Sequence, residues 1–169
     1  MKNIILTGLM GCGKSCVSKE LKAIFCDCEL VETDSLIEGI EKCSISEIFS
    51  NKGESYFRKL EQTIIENLLK KDNQIISLGG GSLENNFDFD LANKNSIIIY
   101  LKASPNTLYE RVKDDNNRPL LKCENPKEKL KELLSIREKN YNKADYIIEV
   151  DNLTINDVAK NIEGVIKNG

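Results

Sequence analysis

Gly8-Leu9-Met10-Gly11-Cys12-Gly13-Lys14-Ser15 is the stretch that decides the fold. It matches G-x-x-x-x-G-K-[ST], a loop whose residue types follow from the anion it holds. Glycines let the backbone turn until successive N–H groups face one phosphate, and the helix behind adds its positive N-terminal end. The lysine, Lys14, reaches the β- and γ-phosphates, and the Ser15 hydroxyl ligates Mg²⁺. The flanks agree. Residues 2–7 are a short apolar run that reads as a buried strand, and residues 15–25 carry Val17, Leu21, Ile24 and Phe25 at helical spacing. Strand, loop and helix together predict a nucleoside triphosphate site at Gly11, Cys12, Gly13, Lys14 and Ser15.

Outward from the loop, short apolar runs alternate with amphipathic stretches. Strands are expected at 30–33, 74–78, 96–101 and 146–150, and helices at 35–41, 45–49, 54–70, 88–93, 105–113, 126–140 and 154–167. Asp34 reads as the N-cap of the helix at 35–41, and Ser44-x-x-Glu47 as a capping box. Such alternation predicts an α/β domain of three layers, with a five-stranded, mostly parallel sheet between helices. The 169 residues suit one domain, 1–169.

Composition narrows the function. With 24 basic and 27 acidic side chains the net charge is −3, which disfavours nucleic acid and anionic membranes as partners. No apolar stretch approaches a membrane span, and the N-terminal run is too short for a signal peptide, so the expected compartment is the cytoplasm. There is no histidine, which excludes His-based triads and His-ligated zinc. The six cysteines read as reduced thiols rather than a disulfide framework. Only four basic residues are arginine (Arg58, Arg111, Arg118 and Arg137), and arginine is the residue suited to bidentate grip of an anion.

Ligands of open α/β sheets bind at the carboxyl ends of the strands. There the sequence supplies the phosphate loop, Glu32-Thr33-Asp34, Gly79-Gly80-Gly81 and, one helix after the fourth strand, Arg111 and the segment Arg118-Pro119-Leu120-Leu121. Arg58 and Glu61 stand at i,i+3 on one helix, where the carboxylate can hold the guanidinium for an anionic substrate.

In these motifs, in order and spacing, the chain resembles the shikimate kinases from Gly8 to about Val150. The resemblance implies a P-loop kinase fold with substrate-binding helices at about 34–61 and a mobile lid at about 112–124. It implies transfer of the ATP γ-phosphoryl to the 3-hydroxyl of shikimate, with Mg²⁺ as cofactor and a monomer as the working state. By the same resemblance Asp34 binds substrate hydroxyls, Arg58 grips the shikimate carboxylate, Arg137 gives the substrate a second arginine, and Gly79, Gly80 and Gly81 bring backbone N–H groups near the substrate. Arg118 contacts the transferring phosphate, Arg111 packs against adenine, and Lys14, Asp34 and Arg118 carry the catalysis.

Three positions depart from the family pattern. Glu32 stands where an aspartate usually joins the Mg²⁺ water shell, Cys16 replaces a threonine near the α-phosphate, and the loop at 151–154 lacks an arginine that some relatives have. Two rival readings are another small P-loop kinase, acting on gluconate or a nucleoside monophosphate, and a nucleotide-binding regulatory module without transfer. Two substrate arginines fit a compact carboxylate better than a base, and Lys14, Asp34 and Arg118 together favour an enzyme.

Overall fold

A computed structural model describes residues 1–84, 87–115 and 119–168. Among them the elements run β1 (Asn3–Thr7), α1 (Lys14–Ile24), β2 (Glu29–Glu32), α2 (Thr33–Glu41), α3 (Ile45–Lys52), α4 (Glu54–Leu68) and β3 (Gln74–Ser77). They continue with α5 (Phe89–Asn95), β4 (Ser96–Lys102), α6 (Pro105–Val112), a 3₁₀ turn at Pro119–Leu121, α7 (Pro126–Tyr141), β5 (Tyr146–Glu149) and α8 (Ile155–Asn168).

The strands form one parallel sheet in the order β2-β3-β1-β4-β5. Ile4 lies beside Ile75 and Ile97, and Ile5 beside Ile76 and Ile98. Every residue of β1 and β3 is buried, as an apolar run covered on both faces requires. The step from β1 to β2 goes one way along the sheet and every later step goes the other. Right-handed crossovers therefore put α1 on one face and the remaining connections on the opposite one. The closing helix α8 returns to pack on α1. This is the three-layer, five-stranded architecture of the P-loop kinases.

The direction reversal leaves β1 and β3 side by side with their chains departing to opposite faces, so a crevice opens beyond their carboxyl ends. Local chemistry brackets it. Ser44 and Glu47 close a reciprocal capping box on α3. Gly53, at φ 83°, both ends α3 and starts α4, a turn that a side chain would strain.

The expected N-cap is corrected. Glu32, not Asp34, precedes α2, and Asp34 lies in the first helical turn. The cause is tertiary: the Thr33 hydroxyl donates to Ser77 O at 3.2 Å and accepts from Gly79 N–H at 3.1 Å, so Thr33 is already helical and bound to the end of β3.

Candidate active site

The phosphate loop leaves β1 through Gly8 at φ 140° and enters α1 through Gly13 at φ 101°. Gly13 is the helix N-cap and offers no side-chain acceptor for the first-turn N–H groups; that of Cys16 turns back to Gly13 O at 3.1 Å, and the helix end faces the anion cradle. Gly8 has no room for more: a Cβ there would lie 2.7 Å from Leu101 O and 2.8 Å from the Cys12 sulfur. Lys14 Nζ folds over the loop and donates to Gly8 O at 2.7 Å and Leu9 O at 3.3 Å, which holds its charge above the anion cradle. Arg111, in the last turn of α6, donates to Gly11 O and Cys12 O at 3.2 and 3.4 Å, bracing the outer side of the loop.

The opposite wall is a set of carboxylates and guanidinium groups around Gly79-Gly80-Gly81. A Cβ on Gly79 would fall 2.7 Å from Asp34 Oδ1 and 2.8 Å from Glu61 Oε1, so both acids press on this turn. Glu61 is 2% exposed and fully partnered, with Arg58 Nη1 at 2.7 Å on one oxygen and the Ser82 hydroxyl at 2.6 Å on the other. Glu54 takes the second arm of Arg58 at 3.4 Å. Arg137, from α7, is equally buried and donates its Nε to Glu84, while the Tyr141 hydroxyl donates to Gly80 O. Burial pushes the Arg137 guanidinium below its ordinary value, the charge of Arg58 adds to this, and Tyr141 and Glu54 oppose it. Burial also raises the Tyr141 hydroxyl, so it stays a protonated donor.

The two walls meet at Gly80. A point one Cβ length from its backbone is 3.5 Å from Met10 N and 3.6 Å from Gly8 O of the phosphate loop, and 3.5 Å from Arg137 Nη1. A single residue thus spaces the phosphate cradle from the buried guanidinium. Between the walls lies a cleft of about 810 Å³, large enough for a nucleotide and a small acceptor. Phe49 and Phe57, stacked edge to face at 5.1 Å, give it an apolar side.

A model of the family described as shikimate kinase matches residues 10–167. The chain belongs to the shikimate kinase family. A shikimate kinase from Thermodesulfovibrio yellowstonii is 43% identical over 162 residues, 96% of this chain and 93% of the relative. One from Sulfurihydrogenibium sp. is 41% identical over 167 residues, 99% of both chains. The solved shikimate kinase from Acinetobacter baumannii in complex with shikimate superposes with a TM-score of 0.92 at 32% identity, covering 99% of this chain and 94% of that one.

Within this shikimate kinase cleft the structure brings together Gly11, Gly13, Lys14, Ser15, Cys16, Glu32, Asp34, Arg58, Gly79, Gly80, Gly81, Arg111 and Arg137. Cys12 is the exception: it is 2% exposed, its N–H is donated to Leu9 O, and its sulfur sits 3.7 Å from Lys14 Nζ behind the loop. Arg118 lies outside the described residues. Sequence reasoning missed Ser82 and Glu84, and it gave no partner for Thr33 or Tyr141, whose contacts are distant in sequence. Thr33, Ser82 and Glu84 bind partners 21 to 53 positions away in sequence, and the Tyr141 hydroxyl reaches a carbonyl 61 positions back.

Proposed function

We propose that this shikimate kinase transfers the γ-phosphoryl group of ATP to the 3-hydroxyl of shikimate, giving ADP and shikimate 3-phosphate. The carrying observation is the turn at Gly80-Gly81, where the phosphate cradle and Arg137 meet at Gly80 and Arg58 lies against Gly81, two guanidinium groups suited to one compact carboxylate. The bond from Pγ to the ADP oxygen breaks as a bond to the 3-oxygen forms, and the hydroxyl proton leaves.

The chain's residues divide the work by position. The loop N–H groups and Lys14 hold the phosphates, and Arg111 braces the nucleotide side. Arg58 and Arg137 grip the shikimate carboxylate, so the ring can enter only with its hydroxyls toward Asp34 and the phosphate loop. Asp34 orients the 3-hydroxyl and accepts its proton; with no histidine in the chain, a carboxylate is the natural base. Gly79, Gly80 and Gly81 let the substrate approach the backbone. Arg118 offsets charge on the transferring group, within the lid at 112–124 that excludes water from the reaction.

Mg²⁺ fits this donor set. Among the described residues no three His, Cys, Asp or Glu side chains gather into a metal-holding group, while Ser15 and Glu32 both line the cleft. That suits an ion which keeps several waters and takes phosphate oxygens. Ser15 would hold it directly and Glu32 through water, and the bound ion neutralises phosphate charge. The working unit in this reading is a monomer of one domain acting in the cytoplasm without nucleic acid or membrane. No helix among the described residues is long and apolar enough to cross a membrane.

A coupled ADP-release assay with shikimate, gluconate and AMP as acceptors tests the proposal. Saturable turnover with shikimate alone supports it. Preferential turnover with either of the others, or ADP release indifferent to acceptor, overturns it.

A further inference from the structure

We infer that Glu84 is a positioning residue for substrate binding: it engages the Nε edge of Arg137 and so aims the other edge of that guanidinium into the cleft. The inference deepens the proposed function and rests on Arg137 as a substrate contact. Arg137 Nε donates to the Glu84 carboxylate, and Nη1 lies on the cleft side, 3.5 Å from the point where a Gly80 Cβ would stand. A guanidinium presents two donor edges, and engaging one in an ion pair leaves the terminal fork for a second carboxylate.

The arrangement repeats the one across the turn. There Glu61 holds Arg58 at 2.7 Å and is fixed in turn by Ser82. Each guanidinium thus has its own carboxylate: Glu61 of α4 for Arg58, and Glu84, three residues after Gly81, for Arg137. The need is greater at Arg137. Its side chain is 3% exposed against 19% for Arg58, and the two like charges repel in a poorly solvated place. Without Glu84 the buried guanidinium would lose the carboxylate that fixes its rotamer, leaving Tyr141 and the charge of Glu54 to offset the repulsion from Arg58. Glu84 itself is 23% exposed and is absent from the cleft lining, so it acts through Arg137 and not on the substrate.

The test compares Glu84→Ala, Glu84→Gln and Arg137→Lys by steady-state kinetics in both substrates, with thermal melts of each. Glu84→Ala is expected to raise the shikimate KM about tenfold, the effect of one lost hydrogen bond to a charged group. The ATP KM should stay within twofold and kcat within threefold. Glu84→Gln keeps an acceptor oxygen for Nε and should recover most of the affinity. If Glu84→Ala is too unstable to assay, Glu84→Gln against Glu84→Lys gives the same contrast, with the lysine raising the shikimate KM further. A shikimate KM that is unchanged or lower in Glu84→Ala, or ATP and shikimate KM rising together, overturns the positioning role. If Arg137→Lys itself leaves the shikimate KM unchanged, the reading of Arg137 fails; if Arg137→Lys raises it and Glu84→Ala does not, only the role of Glu84 fails.

Discussion

Adding one methyl group at Gly81 perturbs the substrate grip without touching its charges. A Cβ there would lie 2.8 Å from Arg58 Cζ and 2.9 Å from Nη1, and closer still to Nη2. Ordinary contact begins near 3.4 Å and Nη2 is the nearest atom, so the guanidinium must retreat by about 1 Å. It cannot do so freely, because Glu61 holds it at 2.7 Å from a buried site and Glu54 takes its other arm. Gly81 is not at positive φ, so alanine adds no backbone strain and the fold should persist. A displacement of ~1 Å in a positioning group costs about 10²-fold, so Gly81→Ala is expected to raise the shikimate KM by about that factor. The ATP KM should stay within twofold, since the nearest groups belong to the acceptor wall. Steady-state kinetics in each substrate, alongside a thermal melt, measures this, and Arg58→Lys, which loses the bidentate fork, serves as the positive control. A Gly81→Ala enzyme with a normal shikimate KM, where Arg58→Lys is impaired, would refute the geometry. Equal damage to both KM values would refute the division of the cleft into two walls.

Two further expectations concern other parts of the chain. Arg118→Ala should lower kcat by about 10²-fold while shikimate binding without nucleotide, measured by calorimetry, stays nearly unchanged; near-normal turnover or lost shikimate binding would assign Arg118 another task. Burial alone would raise the Asp151 carboxyl, but the Ser104 N–H at 2.9 Å, the Thr107 and Ser104 hydroxyls and the charge of Arg111 together hold it below its ordinary value. A carboxyl depressed by folding stabilises above its unfolded value of about 3.9 and loses that contribution as the pH falls through the folded one. Asp151→Asn should therefore lower the melting temperature by about 1–3 °C at pH 7, a solvent-screened effect, with the gap closing in acid; a gap that persists at pH 2 would contradict the assignment.

What the sequence made legible was whatever depends on near neighbours. The phosphate loop is eight contiguous residues, the Ser44–Glu47 capping box spans four, and Arg58 meets Glu61 one helical turn on. The apolar runs place all five strands to within a residue or two; in β1 and β3 burial on both faces leaves little freedom in composition. Contacts across the sheet were not legible. Asp34 looked like an N-cap because aspartate suits that role, yet Thr33 starts the helix under the control of Ser77 and Gly79, 44 and 46 positions away. Glu84 carries no local pattern at all, and its value appears only when α7 brings Arg137 to the end of β3. Motif residue Cys12 matched the loop by spacing, but its side chain is buried with the sulfur packed close to Gly8.

The central claim is that one cleft delivers phosphate to one hydroxyl of shikimate. The most direct measurement incubates the purified chain with ATP, Mg²⁺ and shikimate and identifies the products by phosphorus and proton NMR. Shikimate 3-phosphate and ADP are expected in equal amounts, with both lost in Lys14→Ala. ATP consumed while shikimate remains unmodified, or phosphate found on another oxygen, would contradict it.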